Sequence, residues 1–212
     1  MTSVSPSLVS PDISTQLQQS SKPIKLGIMA SGNGSNFEAV AQAIENGQLN
    51  AQIQVLLYNN PDAYAAVRAN ERNIKAVLIN HRHYKHREEL DRQIVQTLCQ
   101  HDVEWVIMAG WMRLVTQVLI DAFPKQIINI HPSLLPSFKG VRAIEQAIEA
   151  SVKITGCTVH LVSLEMDSGK IIMQAAVPVL PNDTPDTLHK RIQIQEHRIL
   201  PAAIALAANS QQ

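Results

Sequence analysis

The run Ile127-Ile128-Asn129-Ile130-His131-Pro132-Ser133-Leu134-Leu135-Pro136 holds the densest chemistry in the chain. It opens as an apolar, β-branched stretch, the mark of a buried strand. Asn129 and His131 lie at i and i+2, and a strand puts residues of that spacing on one face. Pro132 has no N–H for a ladder bond and ends the strand. The pattern therefore predicts a carboxamide and an imidazole side by side at the carboxyl end of a buried strand. Ligands bind there in open α/β sheets. Asn can donate to a developing oxyanion, and His can move protons near neutral pH. A strand end with satisfied polar residues would look the same in isolation.

Other loops carry residues suited to such a site. Ser31-Gly32-Asn33-Gly34-Ser35-Asn36 stands between an apolar run and a helical pattern. Strand, glycine-rich turn and helix is the arrangement that aims backbone N–H groups at a phosphate. The motif is neither the P-loop nor the dinucleotide fingerprint, and it suits a single phosphate. An ordinary β–α turn shares the pattern. Gly110-Trp111-Met112-Arg113-Leu114-Val115 follows another apolar run. Gly110 would let a flat ligand approach the backbone, and Trp111 and Met112 would line an apolar slot. In Asn80-His81-Arg82-His83-Tyr84-Lys85-His86-Arg87 the histidines have no Cys or carboxylate set at ligand spacing. A solvated loop is expected there and no metal, with Arg87 able to reach an anionic ligand. Asp167 falls in Ser163–Lys170, between two strand-like runs.

The elements that must position these residues follow from periodicity. Strands are expected at 24–30, 52–58, 74–79, 105–109 and 126–131, with helices at 37–44, 63–70, 88–100 and 116–123 between them. Alternating β and α segments argue a doubly wound, mostly parallel, Rossmann-like α/β sheet. A helix at 141–151 comes next. The runs 154–162 and 171–179 are joined by too short a connection for a parallel crossover, so they form a C-terminal antiparallel hairpin. A final helix is capped by Asp183 or Thr184 and runs to about Leu200. Pro201 is expected to kink or break it before the apolar 202–208 segment.

Composition bounds the rest. Residues 1–22 are rich in Ser, Gln and Pro, and read as a disordered extension outside a single domain over 23–212. Lys+Arg and Asp+Glu are both 18, so the net charge is zero. That gives no footprint for a nucleic acid or an anionic membrane. Two distant cysteines, Cys99 and Cys157, make neither a disulfide framework nor a zinc motif. With no membrane-spanning run and no charged leader region, a cytoplasmic location is expected. Oligomeric state is not legible.

Asn129-x-His131-Pro132-Ser133-Leu134-Leu135-Pro136 resembles the signature of the 10-formyltetrahydrofolate-dependent formyltransferases. The similarity runs from about Lys25 to Leu206. It includes Ser31–Asn36, Ala109-Gly110-Trp111-Met112-Arg113, Asp167 before a glycine, and Gln195-Glu196-His197. It points to the branch of the family that formylates glycinamide ribonucleotide in purine synthesis. The resemblance implies Asn129, His131 and Asp167 as catalytic residues. It implies Gly34, Ser35 and Asn36, with Gln193 and Glu196, for glycinamide ribonucleotide. It implies Arg87, Met112, Arg113, Leu114, Val115, Asn129, Ser163, Leu164, Glu165, Met166 and Asp167 for the folate co-substrate. The segment Lys139-Gly140-Val141-Arg142 departs from members that carry a His there.

The residues suit that reaction. An amine attacks a formyl carbon bonded to nitrogen, the oxygen becomes an oxyanion, and the leaving nitrogen gains a proton. Asn129 and His131 would donate to the oxygen. Asp167 would favour protonated His131 and accept the amine's proton, directly or through one water. A transfer-RNA formyltransferase would need a further nucleic-acid-binding domain. A formyltetrahydrofolate hydrolase would need an N-terminal regulatory domain longer than 1–22. A non-catalytic phosphosugar-binding module would not need the Asn129, His131 and Asp167 set.

Overall fold

The computed structural model of the protein describes residues 8–13 and 22–210. Eight strands form one sheet in the order β1-β8-β7-β6-β5-β2-β3-β4. β2 (Ile24–Ala30), β3 (Ala51–Tyr58), β4 (Ala76–Leu78), β5 (Trp105–Met108) and β6 (Ile127–His131) run parallel to their neighbours within this group. β7 (Ile154–Leu161) and β8 (Ile171–Pro178) form an antiparallel hairpin, and β7 lies antiparallel to β6.

Alternation along the strands separates two apolar faces. Leu26, Ile28, Trp105, Ile107, Ile128, Ile130 and Val159 face α1 (Ser35–Glu45) and α6 (Pro185–Asn209). Met29, Val106, Met108 and Ile127 face α3 (Arg87–Gln100) and α4 (Gln117–Ala122). α2 (Tyr64–Glu71) and α5 (Ala143–Glu149) complete the helices. The chain leaves β2 toward β3 and returns from β4 to β5 on the other side of β2. This places a topological switch point, and hence a crevice, outside the carboxyl ends of β2 and β5.

Several details differ from the sequence expectation. Residues 8–13 are not outside the fold. β1 (Val9–Ser10) pairs antiparallel with β8, opposite Ala175 and Gln174, and gives its open edge a main-chain partner. The remainder of the expected disordered extension, 1–7 and 14–21, lies outside the described residues. Pro201 does not break the last helix, which runs unbroken to Asn209. The lost hydrogen bond costs about 3 kcal/mol. Ile199, Leu200 and Ile204 are fully buried around it, and each contributes roughly 1.5–3 kcal/mol. Trp111 is 6% exposed and packs into the core, while Met112 is 76% exposed. The 141–151 helix contracts to α5, because Arg142 takes up a left-handed conformation at φ 59°.

Candidate active site

Asn129 and His131 project from one face of β6, as their spacing requires. Across the β6–β7 ladder, Asn129 opposes His160 and His131 opposes Thr158. Opposed residues of an antiparallel pair share a face, so a patch of polar side chains forms where the sheet runs out.

Its hydrogen bonds fix the protonation pattern. His160 Nδ1 lies 2.9 Å from the Leu161 carbonyl, which can only accept. Nδ1 therefore carries the hydrogen. Burial pushes the His160 pKa down, against the Leu161 bond and the Asp167 charge, so the ring is held neutral. Nε2 is then an acceptor, and the Asn129 Nδ2 amide donates to it over 3.1 Å. That bond turns the Asn129 carboxamide and leaves its second amide hydrogen for another acceptor.

Asp167 closes the set from the β7–β8 loop, at φ 51°. Its Oδ2 accepts from the Gly140 N–H at 2.8 Å and lies 3.5 Å from His131 Nδ1. Its Oδ1 is 3.7 Å from His160 Nε2, within electrostatic but not hydrogen-bonding reach. His131 is 6% exposed. Its Nε2 donates to the Phe138 carbonyl at 2.9 Å. This differs from the expected donor pair. The loop after Pro132 folds back over the strand end, so both His131 nitrogens face protein atoms. Within this set, Asn129 has a second amide hydrogen beyond the one given to His160.

The loop that departs from the resemblance takes part in these contacts. Phe138 holds His131, Gly140 holds Asp167, and Lys139 Nζ pairs with Glu165 at 3.2 Å. Thr158 Oγ1 donates to the Ser133 carbonyl and accepts from the Leu135 N–H, pinning the start of the same loop.

The glycine-rich turn leads straight into α1. Gly34 is its N-cap residue at φ 75°, and Ser35 and Asn36 begin the helix. The first helical N–H groups have no partner within the helix and point outward. α6 reaches this turn from the far end of the chain. Gln193 donates to Ser35 Oγ at 2.8 Å, and Asn36 Nδ2 donates to Glu196 Oε2 at 3.1 Å. Burial pushes the Glu196 pKa up, and the Asn36 bond opposes this. Asn36 Oδ1 is buried with no hydrogen-bond partner among the described residues.

The third part is the loop after β5. The Met112 N–H donates to Ser31 Oγ at 2.8 Å, and the Ser31 N–H donates to the Gly110 carbonyl. The β2 and β5 loops are thus stitched together at the switch point. Met112 and Leu114 are exposed here, and Leu164 and Met166 are exposed on the Asp167 loop. Val115 packs on the core beneath. Ser163 Oγ donates to the Glu165 carbonyl and shapes that loop. Arg87 is exposed at the start of α3, and Arg113 is exposed beside Met112. Among the described residues, no hydrogen bond or ion pair joins Arg87 to the catalytic set. On the same helix, Asp91 Oδ2 accepts from the Thr116 N–H at 2.6 Å and Oγ1 at 2.8 Å.

His160 and Asp91 are the residues that sequence reasoning missed. A faint signal existed for His160. It interrupts an apolar strand two residues after Thr158, the same spacing that singled out Asn129 and His131.

Comparison with known proteins bears on this geometry. The formyl transferase family matches residues 24–204. Phosphoribosylglycinamide formyltransferase of Bacillus subtilis is 39% identical over 180 residues, covering 85% of this chain and 92% of that protein. The human trifunctional purine biosynthetic protein adenosine-3 is 40% identical over 188 residues, or 89% of this chain. The chain spans only 19% of that protein's length. Glycinamide ribonucleotide transformylase 1 from Symbiobacterium toebii superposes with a TM-score of 0.88 at 41% identity, covering 90% of both chains. Phosphoribosylglycinamide formyltransferase from Bacillus halodurans gives 0.85 at 40% identity, covering 89% of this chain and 97% of that one.

Proposed function

Since the chain belongs to the formyl transferase family, we propose that it is a phosphoribosylglycinamide formyltransferase. It transfers the formyl group of 10-formyltetrahydrofolate to the amine of glycinamide ribonucleotide. The products are formylglycinamide ribonucleotide and tetrahydrofolate, a step of purine biosynthesis. The observation that carries this reading is the meeting of Asn129, His160, Asp167 and His131 at the open end of β6 and β7. The two loops that would seat an acceptor and a donor are bonded to each other at Ser31.

In this reading the ribonucleotide phosphate lies on the N–H groups of Gly34, Ser35 and Asn36. Gln193 and Glu196 face the rest of the acceptor. The folate lies along Met112–Val115 and Ser163–Asp167, with Arg87 and Arg113 toward its carboxylates. The amine attacks the formyl carbon, and the carbonyl electron pair moves to oxygen. Asn129, its carboxamide turned by His160, donates its second amide hydrogen to that oxygen. Asp167 takes the amine's proton, directly or through one water. His131 presents Nδ1 to Asp167 at 3.5 Å, so a proton can pass between them. Collapse of the intermediate breaks the bond to the folate nitrogen, which takes up the proton. No step calls for a metal or for a nucleic-acid partner. We place the reaction in the cytoplasm, a setting that suits two free cysteines. Among the described residues no helix is long and apolar enough to cross a membrane.

The test is an assay with 10-formyltetrahydrofolate and either glycinamide ribonucleotide or water as acceptor. Tetrahydrofolate should appear in step with the formylated ribonucleotide, with little release when the ribonucleotide is left out. Equal release with and without it would make the protein a hydrolase and overturn the reading.

A further inference from the structure

Three consecutive residues of the glycine-rich turn are held by α2, a helix that carries none of the site residues singled out above. The Ala65 N–H donates to the Gly32 carbonyl at 3.1 Å. Arg68 Nε donates to the Asn33 carbonyl at 2.9 Å, and its Nη2 donates to Asn33 Oδ1 at 3.0 Å. A Cβ added to Gly34 would meet Ala65 Cβ at 2.7 Å and Ala65 Cα at 2.8 Å. The turn therefore lies directly on the helix.

These bonds set the direction of peptide planes. In a planar trans peptide the C=O and the following N–H point opposite ways. With the Gly32 and Asn33 carbonyls drawn toward α2, the N–H groups of Asn33 and Gly34 face away from it. They join the first N–H groups of α1, which helix geometry leaves without intrahelical partners. Arg68 fixes the second of these planes with a bidentate grip. Its guanidinium is itself held over the Tyr64 ring, 5.0 Å from the centroid.

Arg68 also brings charge. Its nearest carboxylate is Glu38, at 3.8 Å from Nη1, and Glu38 is gripped instead by Arg72 through two hydrogen bonds. The side chain is 24% exposed. It lines one cavity with Asn33, Ser35, His189, Gln193 and His197.

We propose that Arg68 is a positioning residue of the acceptor's phosphate site. It holds Asn33 so that the turn's N–H groups converge on the phosphate, and it supplies that site with fixed positive charge. The proposal rests on the functional reading above. Arg68→Gln should raise KM for glycinamide ribonucleotide by about tenfold or more, since a charge-assisted bidentate grip is lost. kcat and the KM of the folate donor should change by less than about twofold, because neither is touched by α2. Slow turnover of the dephosphorylated glycinamide ribonucleoside should be unaffected. Arg68→Lys keeps the charge without the fork and should recover part of the loss, most at low salt. Asn33→Ala removes one of the two acceptors and leaves the α2 ion pairs intact, so it should raise the same KM by a smaller factor. Unchanged KM in both Arg68→Gln and Asn33→Ala would overturn the proposal. So would an equal loss with the dephosphorylated acceptor, which would mean a merely structural role. Failure of the wild-type protein to formylate glycinamide ribonucleotide at all would instead sink the functional reading.

Discussion

Asn129, His160, Asp167 and His131 form one contiguous set. A carboxamide on a strand end could face either way. His160 decides the matter by presenting a lone pair at 3.1 Å, and it has one to present only while burial keeps it neutral. Asp167 sits between two imidazoles, 3.5 Å from one and 3.7 Å from the other. Its Oδ2 is anchored by the Gly140 N–H. Replacing Asp167 by Asn keeps that anchor and removes the charge. The expected result is a fall in kcat of roughly 10²–10⁴-fold, the usual range for lost general acid–base help. KM for both substrates should move much less, since the interaction is made mainly in the transition state. Steady-state kinetics with each substrate varied in turn checks this. A variant with near-normal kcat would remove Asp167 from the chemistry.

At the scale of elements, the glycine-rich turn and α2 form one packed unit, and Gly34 lies directly against Ala65. A side chain there meets the backbone of α2 and must also accept φ 75°. Left-handed strain costs about 1–2 kcal/mol, and overpacking adds about 1–3 kcal/mol. Gly34→Ala should therefore lower Tm by roughly 5–15 °C, at about 2–4 °C per kcal/mol for a chain of this size. It should also weaken ribonucleotide binding, as scanning and titration calorimetry would record. An unchanged Tm would mean that the turn can slide off α2. This also shows where reading the sequence stops. Ile24–Ala30, Trp105–Met108 and Ile127–His131 were legible as strands, because buried parallel strands are continuous apolar runs. The glycine-rich turn was legible as the junction between a strand and a helix. Its support from Ala65 and Arg68 was not, since that contact joins segments with no shared period. The run of α6 through Pro201 was hidden for the same reason. Local propensity argues for a stop, and only tertiary burial overrules it.

At the scale of the whole molecule, the chain closes one crevice with segments from both of its ends. α6 brings Gln193 and Glu196 back to a turn begun at Ser31, and the antiparallel hairpin swings Asp167 over the end of β6. The sheet could be predicted from alternation alone. The meeting of Asp167 with His131 could be expected only through resemblance, because it depends on how far the hairpin twists over the strand end. β1 was not foreseen at all. A strand of two residues has no periodicity to detect, and its Ser- and Pro-containing surroundings read as disorder. Its position nevertheless has a physical consequence. Residues 9 and 10 lie outside the segment matched to the family, and they cover the edge of β8, with the Ala176 N–H donating to the Leu8 carbonyl at 2.8 Å. An uncovered edge strand is a template for pairing with another chain. Deleting residues 1–13 should therefore lower Tm by a few degrees, as expected from the loss of roughly 1–2 kcal/mol of edge hydrogen bonds. It should also promote self-association, seen in sedimentation velocity as a shift to larger species with rising concentration. KM for the folate donor should stay within about twofold, because Asp12 and Ile13, lost with the strand, line the cavity that holds Asn33, Ser35 and Arg68 and not the Met112–Val115 loop. Unchanged Tm together with an unchanged sedimentation profile would show that β8 needs no cover. A large rise in KM for the folate donor would mean instead that the N-terminal segment reaches the folate loops.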